Sequence, residues 1–423
     1  MPARLIILDP GHFHASLLQK DMYPWLDTRV AVYAPFGADV LDYINRVSLF
    51  NSRSDNPTHW ELDIHLSADP LAAMLHDQSG HAGNIAVITG RNRGKIDKIL
   101  ASLSAGLHVL ADKPWIISSA DLPKLDEALS LAERKGVAAY DIMTERYEIT
   151  SELQRAFVNL PDVFGRLETG TAADPAVRAR SVHHVMKVVA GVPLRRPVWF
   201  FDIAEYGDGL ADVGTHVVDL VEWTILPEKA FDYRTDVQIT SARRWPLTLS
   251  KTQFAQVAGA ELSAPQLDYF CNNAVSYTLR GVHVDLEIVW NWEAPAGTGD
   301  VYEASFRGSK SRVEIRQGAA EKFIPELYIV PAATQGIDIF AAVDRAVIAL
   351  QRQWPGLAAA RSEHEIHVVI PENFRVGHET HFAQVANHFR DYVQSPKSMP
   401  AWERSYMLAK YYVSTKGVEQ GHK

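Results

Sequence analysis

Four short stretches of the chain combine residue types and spacings that could handle protons or phosphates. The first is Asp9-Pro-Gly-His-Phe-His-Ala15, a glycine followed by two histidines directly behind an apolar run. A glycine there lets the backbone approach a phosphate, and a following helix N-terminus turns amide groups and its dipole toward an anion. Gly11, His12, Phe13 and His14 are therefore candidate cofactor contacts. Asp9 and His14 occupy positions where a glycine-rich loop has its first and third glycines. A carboxylate facing a pyrophosphate is repulsive, so the arrangement asks His12 or His14 to be protonated. The alternative is a plain strand-to-helix turn in which the two histidines cap or pack.

The second stretch, Ala111-Asp-Lys-Pro-Trp115, follows a later apolar run. A lysine desolvated at such a place has a lowered pKa and can donate or relay a proton, which makes Lys113 a candidate catalytic residue. Asp112 and Lys113 also join the cofactor contacts; a solvated lysine in a proline-ended turn is the alternative. The third stretch runs from Gly207 to Asp219, with Asp212, His216 and Asp219 spaced by four and then three residues. That spacing puts them on one helical face. A carboxylate beside an imidazole raises its basicity and fixes its tautomer, so Asp212 and His216 read as an acid/base pair, or else as a buried structural pair. The fourth, Gly90-Arg-Asn-Arg-Gly-Lys95, offers Arg91 and Asn92 with further basic charge for phosphates. His183, His184, Trp199 and Asp202 place aromatic faces beside charged groups, a combination suited to a polyhydroxylated ring, with Asp212 as a further substrate contact; core packing is the competing reading for Trp199. His378 and His381 stand one turn apart without a third ligand nearby, and no metal site is expected.

These residues need elements to position them. Leu5–Leu8, 29–34, 84–89, 107–111 and 137–141 are short apolar runs, most of them wholly buried strands in pattern, and the segments between them carry helical periodicity and end at Gly106 and Gly136. Alternation of this kind predicts a Rossmann-type, doubly wound parallel sheet over residues 1–150, with ligands at the carboxyl ends of its strands. From 151 to 423 the texture changes. Alternating segments such as 276–280 and 283–290 predict a largely antiparallel open sheet in an α+β substrate domain, and helical patterns return at 337–353 and 382–393.

Bulk properties narrow the function classes. A chain of 423 residues exceeds what one hydrophobic core organises. A net charge of −9 with acidic and basic residues interspersed argues against nucleic acid. No stretch approaches the about 18 apolar residues that cross a bilayer, and nothing near the N-terminus reads as a signal peptide. The single Cys271 allows no internal disulfide, so a cytoplasmic setting is expected.

Taken together, the motifs resemble the Gfo/Idh/MocA family of NAD(P)-dependent sugar and polyol oxidoreductases. Gly106-Leu-His-Val-Leu-Ala-Asp-Lys-Pro114 matches that family's strand and Glu-Lys-Pro, with Asp112 in place of the glutamate. Asp212-Val-Gly-Thr-His-Val-Val-Asp219 matches its Asp-x-Gly-x-His-x-x-Asp helix in full, and Gly308-Ser-Lys-Ser311 stands for its sheet-domain turn. The resemblance implies NAD or NADP as cofactor and a carbohydrate-like substrate. It implies Lys113 as the active-site lysine, His216 as the base for a hydroxyl proton, Asp212 as its partner, and a homo-oligomer paired through the open sheet. Departures at the glycine loop, and the lack of a carboxylate directly after the second strand, keep an alternative in play. That alternative is a lyase or hydrolase of keto-glycosides, using transiently reduced NAD, or a metal held by His183, His184, Asp212 and His216.

Overall fold

The computed structural model describes residues 2–78, 84–189, 192–193, 195–333 and 336–422. Two compact units emerge, one made of residues 1–144, 199–207 and 378–404, the other of 145–198, 208–377 and 405–423.

In the first unit, β1 (Leu5–Leu8), β2 (Arg29–Ala34), β3 (Glu61–Leu66), β4 (Ile85–Ile88), β5 (His108–Ala111) and β6 (Ala139–Asp141) alternate with α1 (His14–Leu17), α2 (Ala38–Ser52), α3 (Pro70–Asp77), α4 (Lys95–Ser104) and α5 (Leu122–Lys135). The strand order is β3-β2-β1-β4-β5-β6 and every neighbouring pair is parallel. β1, β4 and β5 are buried along their whole length, which is why their sequences are unbroken apolar runs rather than alternating ones. The order reverses direction between β1 and β4, the topological switch point where the carboxyl ends of neighbouring strands leave a crevice.

The single boundary expected near residue 150 puts 199–207 and 378–404 in the second domain, whereas by contacts these segments belong to the first unit. The helix His378–Gln394 shows the reason. It buries Phe382, Val385, Ala386 and Phe389, with Phe382 against the His14 ring and Phe389 against Tyr140. An amphipathic helix goes where its apolar stripe is covered, and this one is covered by the parallel sheet's flank.

The second unit is built on α6 (Ile149–Val158), β7 (Val177–Met186), a ribbon of β8 (Val188–Val189) and β9 (Val192–Pro193), and α7 (Gly209–Ile225). There follow β10 (Val237–Ser250), β11 (Gln266–Leu279), β12 (Val282–Glu293), β13 (Val301–Arg307), β14 (Ser311–Arg316), β15 (Glu326–Pro331), β16 (Ala358–Arg361) and β17 (Ile366–Val369). The large sheet runs β10-β11-β12-β7-β13-β14-β15-β17-β16, antiparallel throughout except between β12 and β7. Its strands alternate: Val284, Leu286, Ile288 and Trp290 of β12 are buried, while Asp285 and Glu287 point to the other face with Arg178 and Arg180 of β7. α6 and α7 cover the apolar face. Gly308 marks the β13–β14 hairpin because a Cβ there would lie 2.2 Å from the Phe164 carbonyl oxygen.

α7 depends on a buried ionic knot. Asp219 accepts two bonds from Arg146, at 2.6 and 2.8 Å, and one from Lys410 at 3.1 Å, with all three side chains nearly inaccessible. Burial pushes the Asp219 carboxyl up, but Arg146 and Lys410 more than offset it and hold it well below the carboxylate range. Because the folded pKa is depressed, this stabilisation is complete above the ordinary carboxylate range and is lost only as pH falls toward the lowered value. Asp219→Ala would take this carboxylate away from two buried cations and is expected to cost about 3–5 kcal/mol in urea unfolding at neutral pH; a loss below about 1 kcal/mol would show that the pair is solvated in solution.

Candidate functional site

The first unit gathers polar groups at the carboxyl ends of β1, β4 and β5. Asp9 stands directly after β1 with φ 53, a left-handed conformation that aspartate tolerates better than most residues, and its carbonyl accepts the Gly11 amide at 2.8 Å. Its carboxylate is compensated by Lys98 of α4 at 2.6 Å, not by the histidines two and four residues on. Gly11 is required by crowding, since a Cβ would meet the Trp199 ring at 3.1 Å and Asp39 Oδ2 at 3.4 Å.

His12 and His14 are used elsewhere. His12 Nδ1 lies 2.7 Å from Asp112 Oδ2 and His14 Nδ1 lies 2.9 Å from Asp112 Oδ1, so each oxygen of one buried carboxylate meets one imidazole. Burial drives the His14 pKa down to about 3 against the pull of Asp112, which leaves the ring neutral. Burial also opposes the Asp112 charge, yet His14 and His12 hold its carboxyl well below the usual range. Phe13 is the N-cap of α1, its ring 4.5 Å from His12 and 4.6 Å from His14.

Around this cluster the remaining predicted cofactor residues divide. Asn92 is buried with its amide donated to the Tyr206 carbonyl at 2.6 Å and its oxygen taken by Lys95 at 2.6 Å. Lys95, equally buried, reaches the Asp112 carbonyl at 3.0 Å. Asn92 thus ties down the 199–207 segment instead of offering itself to a ligand. Arg91 is exposed, 6.0 Å from the Trp199 ring centroid. Lys113 is buried, and its peptide bond to Pro114 is cis.

Asp39 lies five residues beyond the end of β2, too far along the chain to read as a carboxylate directly after that strand. In the structure it opens α2, whose first turn swings it back to Gly11, and its Oδ2 accepts the Trp199 Nε1–H at 3.0 Å. Oδ1 has no partner among the described residues. Burial pushes this carboxyl upward in pKa. A carboxylate returned to the β1 turn is the placement a ribose-binding acid takes in such folds, so the residues present fit a dinucleotide at that end. Trp199 belongs to the first unit and Asp202 is exposed, its Oδ1 accepting the Ala204 amide at 2.9 Å.

In the second unit His183 and His184, on β7, converge on Asp300. His184 Nδ1 is 3.0 Å and His183 Nδ1 3.1 Å from its carboxylate, and Lys187 pairs with the same group. Burial raises the Asp300 carboxyl, but His183 and Lys187 outweigh it and keep it low; burial also lowers Lys187, against the pull of Asp300. The charge of Asp212 acts on Lys187 as well, which places Asp212 near this cluster. Asp212 is buried and His216 half-buried, both on α7. The glycines of that motif serve packing: a Cβ on Gly209 would fall 1.9 Å from the Cys271 carbonyl oxygen, and one on Gly214 would press on Leu210. Asp300, 116 residues from its histidine, carries no local motif that would reveal it.

Residues 153–422 match the family described as "Putative oxidoreductase C terminal domain". The chain belongs to that oxidoreductase family. Its fold is shared over nearly the whole length with a "putative oxidoreductase" of Parabacteroides merdae, at 38% identity and TM-score 0.96, covering 99% of this chain and 97% of that one. More distant likenesses in fold include GenD2 of gentamicin A biosynthesis, solved in complex with NAD, at 14% identity and TM-score 0.59 over 100% and 95% of the chains. Another is KijD10, a 3-ketoreductase of Actinomadura kijaniata in complex with NADP and TDP-benzene, at 15% identity and TM-score 0.57 over 97% and 95%. No curated protein matches the chain.

Asp300→Asn removes the carboxylate that props up the Lys187 ammonium, so the lysine should deprotonate more readily. Amine-selective labelling of Lys187 at neutral pH, read by peptide mass spectrometry, is expected to speed up several-fold; unchanged labelling would mean that Asp300 does not control its charge.

Proposed function

We propose that the protein is an NAD(P)-dependent oxidoreductase of the Gfo/Idh/MocA type acting on a sugar, cyclitol or glycoside. The observation that carries this reading is the return of the Asp39 carboxylate to the Gly11 turn at the switch point of the parallel sheet. Gly11 and Phe13 of the turn, the Arg91 guanidinium and Asp39 would hold the dinucleotide. When bound, it accepts or supplies a hydride. A 2′-phosphate would meet the Asp39 charge, so NAD is favoured over NADP.

This chain's own residues handle the protons and the orientation. His216, on a helix clamped to the sheet, would take the hydroxyl proton of the substrate, with the Asp212 carboxylate stabilising its charged form. Lys113, buried at the end of β5, would donate to a carbonyl oxygen or relay a proton. His183, His184 and Lys187, organised by Asp300, offer donors to a polyhydroxylated ring. The uncovered sheet face interleaves Arg178, Arg180 and Arg243 with Glu287, Glu303 and Glu314, a self-complementary pattern that supports pairing of two copies.

Two sets of variants test the reading. Asp39→Ala is expected to weaken NAD binding about tenfold or more in a fluorescence titration and to narrow its advantage over NADP. Lys113→Met and His216→Ala are each expected to lower turnover by about 100-fold or more while leaving NAD affinity in place. Wild-type turnover in both would remove the catalytic assignment, and absence of dinucleotide binding in the unaltered protein would remove the cofactor.

A further inference from the structure

The geometry points to a divalent metal site in the first unit formed by His12, His14 and Asp112. One ligand atom from each can be chosen so that all three lie within 4.8 Å of one another. Two imidazoles and one carboxylate make a donor set suited to Zn²⁺ and its first-row neighbours, whose bonds to nitrogen and oxygen run at about 2.0–2.2 Å. Each Nδ1 is hydrogen-bonded to a different oxygen of Asp112, at 2.7 and 2.9 Å, so an ion would take the place of the two bridging protons and move the donor atoms only slightly apart, to about 3.0–3.5 Å.

Rigidity argues in the same direction. Asp112 follows β5 and the histidines follow β1, both strands being buried over their full length, and β4 separates them. The Asp112 carbonyl is pinned by Lys95 and the His12 amide by the Thr89 carbonyl at 2.9 Å. Ligands that follow buried strands closely, with neighbouring backbone groups pinned, are largely preorganised, so little ordering remains for an ion to impose.

A second histidine pair offers an internal contrast. In the second unit His183 and His184 also meet one carboxylate, but Lys187 is paired with that same Asp300, so an ion would have to displace an ammonium group. The Asp112 carboxylate oxygens accept only from the two imidazoles among the described residues. The metal at His183, His184, Asp212 and His216 that the sequence allowed is therefore the weaker of the two placements. The site at His12, His14 and Asp112 shares its turn with Gly11 and Phe13 of the dinucleotide reading, and its test is therefore run without nucleotide.

Cobalt titration of the purified protein, without nucleotide or substrate, tests the inference. The unaltered chain is expected to bind a single Co²⁺ with visible d–d absorption and to release it to Zn²⁺. Asp112→Asn and His14→Ala should each weaken binding by about 100-fold or more, and His183→Ala should leave it unchanged. Because the first two variants could lose their fold, His12→Cys provides a readout that unfolding cannot imitate: a thiolate-to-cobalt charge-transfer band. No stoichiometric Co²⁺ in the unaltered protein overturns the site. So does binding lost in His183→Ala, or a His12→Cys protein that takes up cobalt without the thiolate band.

Discussion

A carboxylate taken out of water must be compensated where it stands, and the carboxyl end of the parallel sheet is arranged around that requirement at Asp112. Its two oxygens are met by His12 and His14, its carbonyl by Lys95, and Lys95 in turn by Asn92, which fastens the chain near Tyr206. The network stitches the turn after β1 to the end of β5 across β4 and fixes Trp199 over Gly11. With the histidines so engaged, the Asp9 charge left by the altered glycine loop has to be balanced by another residue, and Lys98 does so. The loop's departure from a glycine-rich pattern and the histidine–aspartate cluster are thus one structural solution seen from two sides.

How much of this the sequence disclosed follows from the range of each interaction. Wholly apolar runs can be satisfied only as strands covered on both faces, so β1, β4 and β5 and the parallel topology were legible from composition alone. So were the alternating strands at 276–280 and 283–290, the two later helices, and the spacing that groups Asp212, His216 and Asp219 on α7. Partners chosen by tertiary packing were not legible. Asp39 lies 160 residues from Trp199, Lys98 lies 89 from Asp9, and Asp300 lies 116 from His184. No periodicity connects such positions, and each carboxylate taken singly reads as surface charge.

The helix motif separates into two kinds of residue once its surroundings are known. Asp219 spends its charge on Arg146 and Lys410 and so secures α7, while Gly209 and Gly214 are small because β11, β12 and Leu210 press against them. Three motif positions thereby serve to hold the helix close to the sheet. What such anchoring leaves for Asp212 and His216 is a fixed backbone, the condition that the proposed acid/base role needs, since precise placement of such groups is worth more to a reaction than their intrinsic strength.

Both histidine pairs meet an aspartate through Nδ1, yet the third partner sets them apart. An ammonium such as Lys187 neutralises Asp300 from within, which leaves a donor-rich cluster suited to neutral hydroxyls. Asp112 is met by two imidazoles and by no lysine or arginine among the described residues, so its charge is held by hydrogen bonds from the rings alone. A buried negative charge that is stabilised but not cancelled can still attract a cation, and the two imidazoles that stabilise it are themselves metal ligands. The same pairing of residue types therefore stands in two different electrostatic settings, and the difference rests on one lysine.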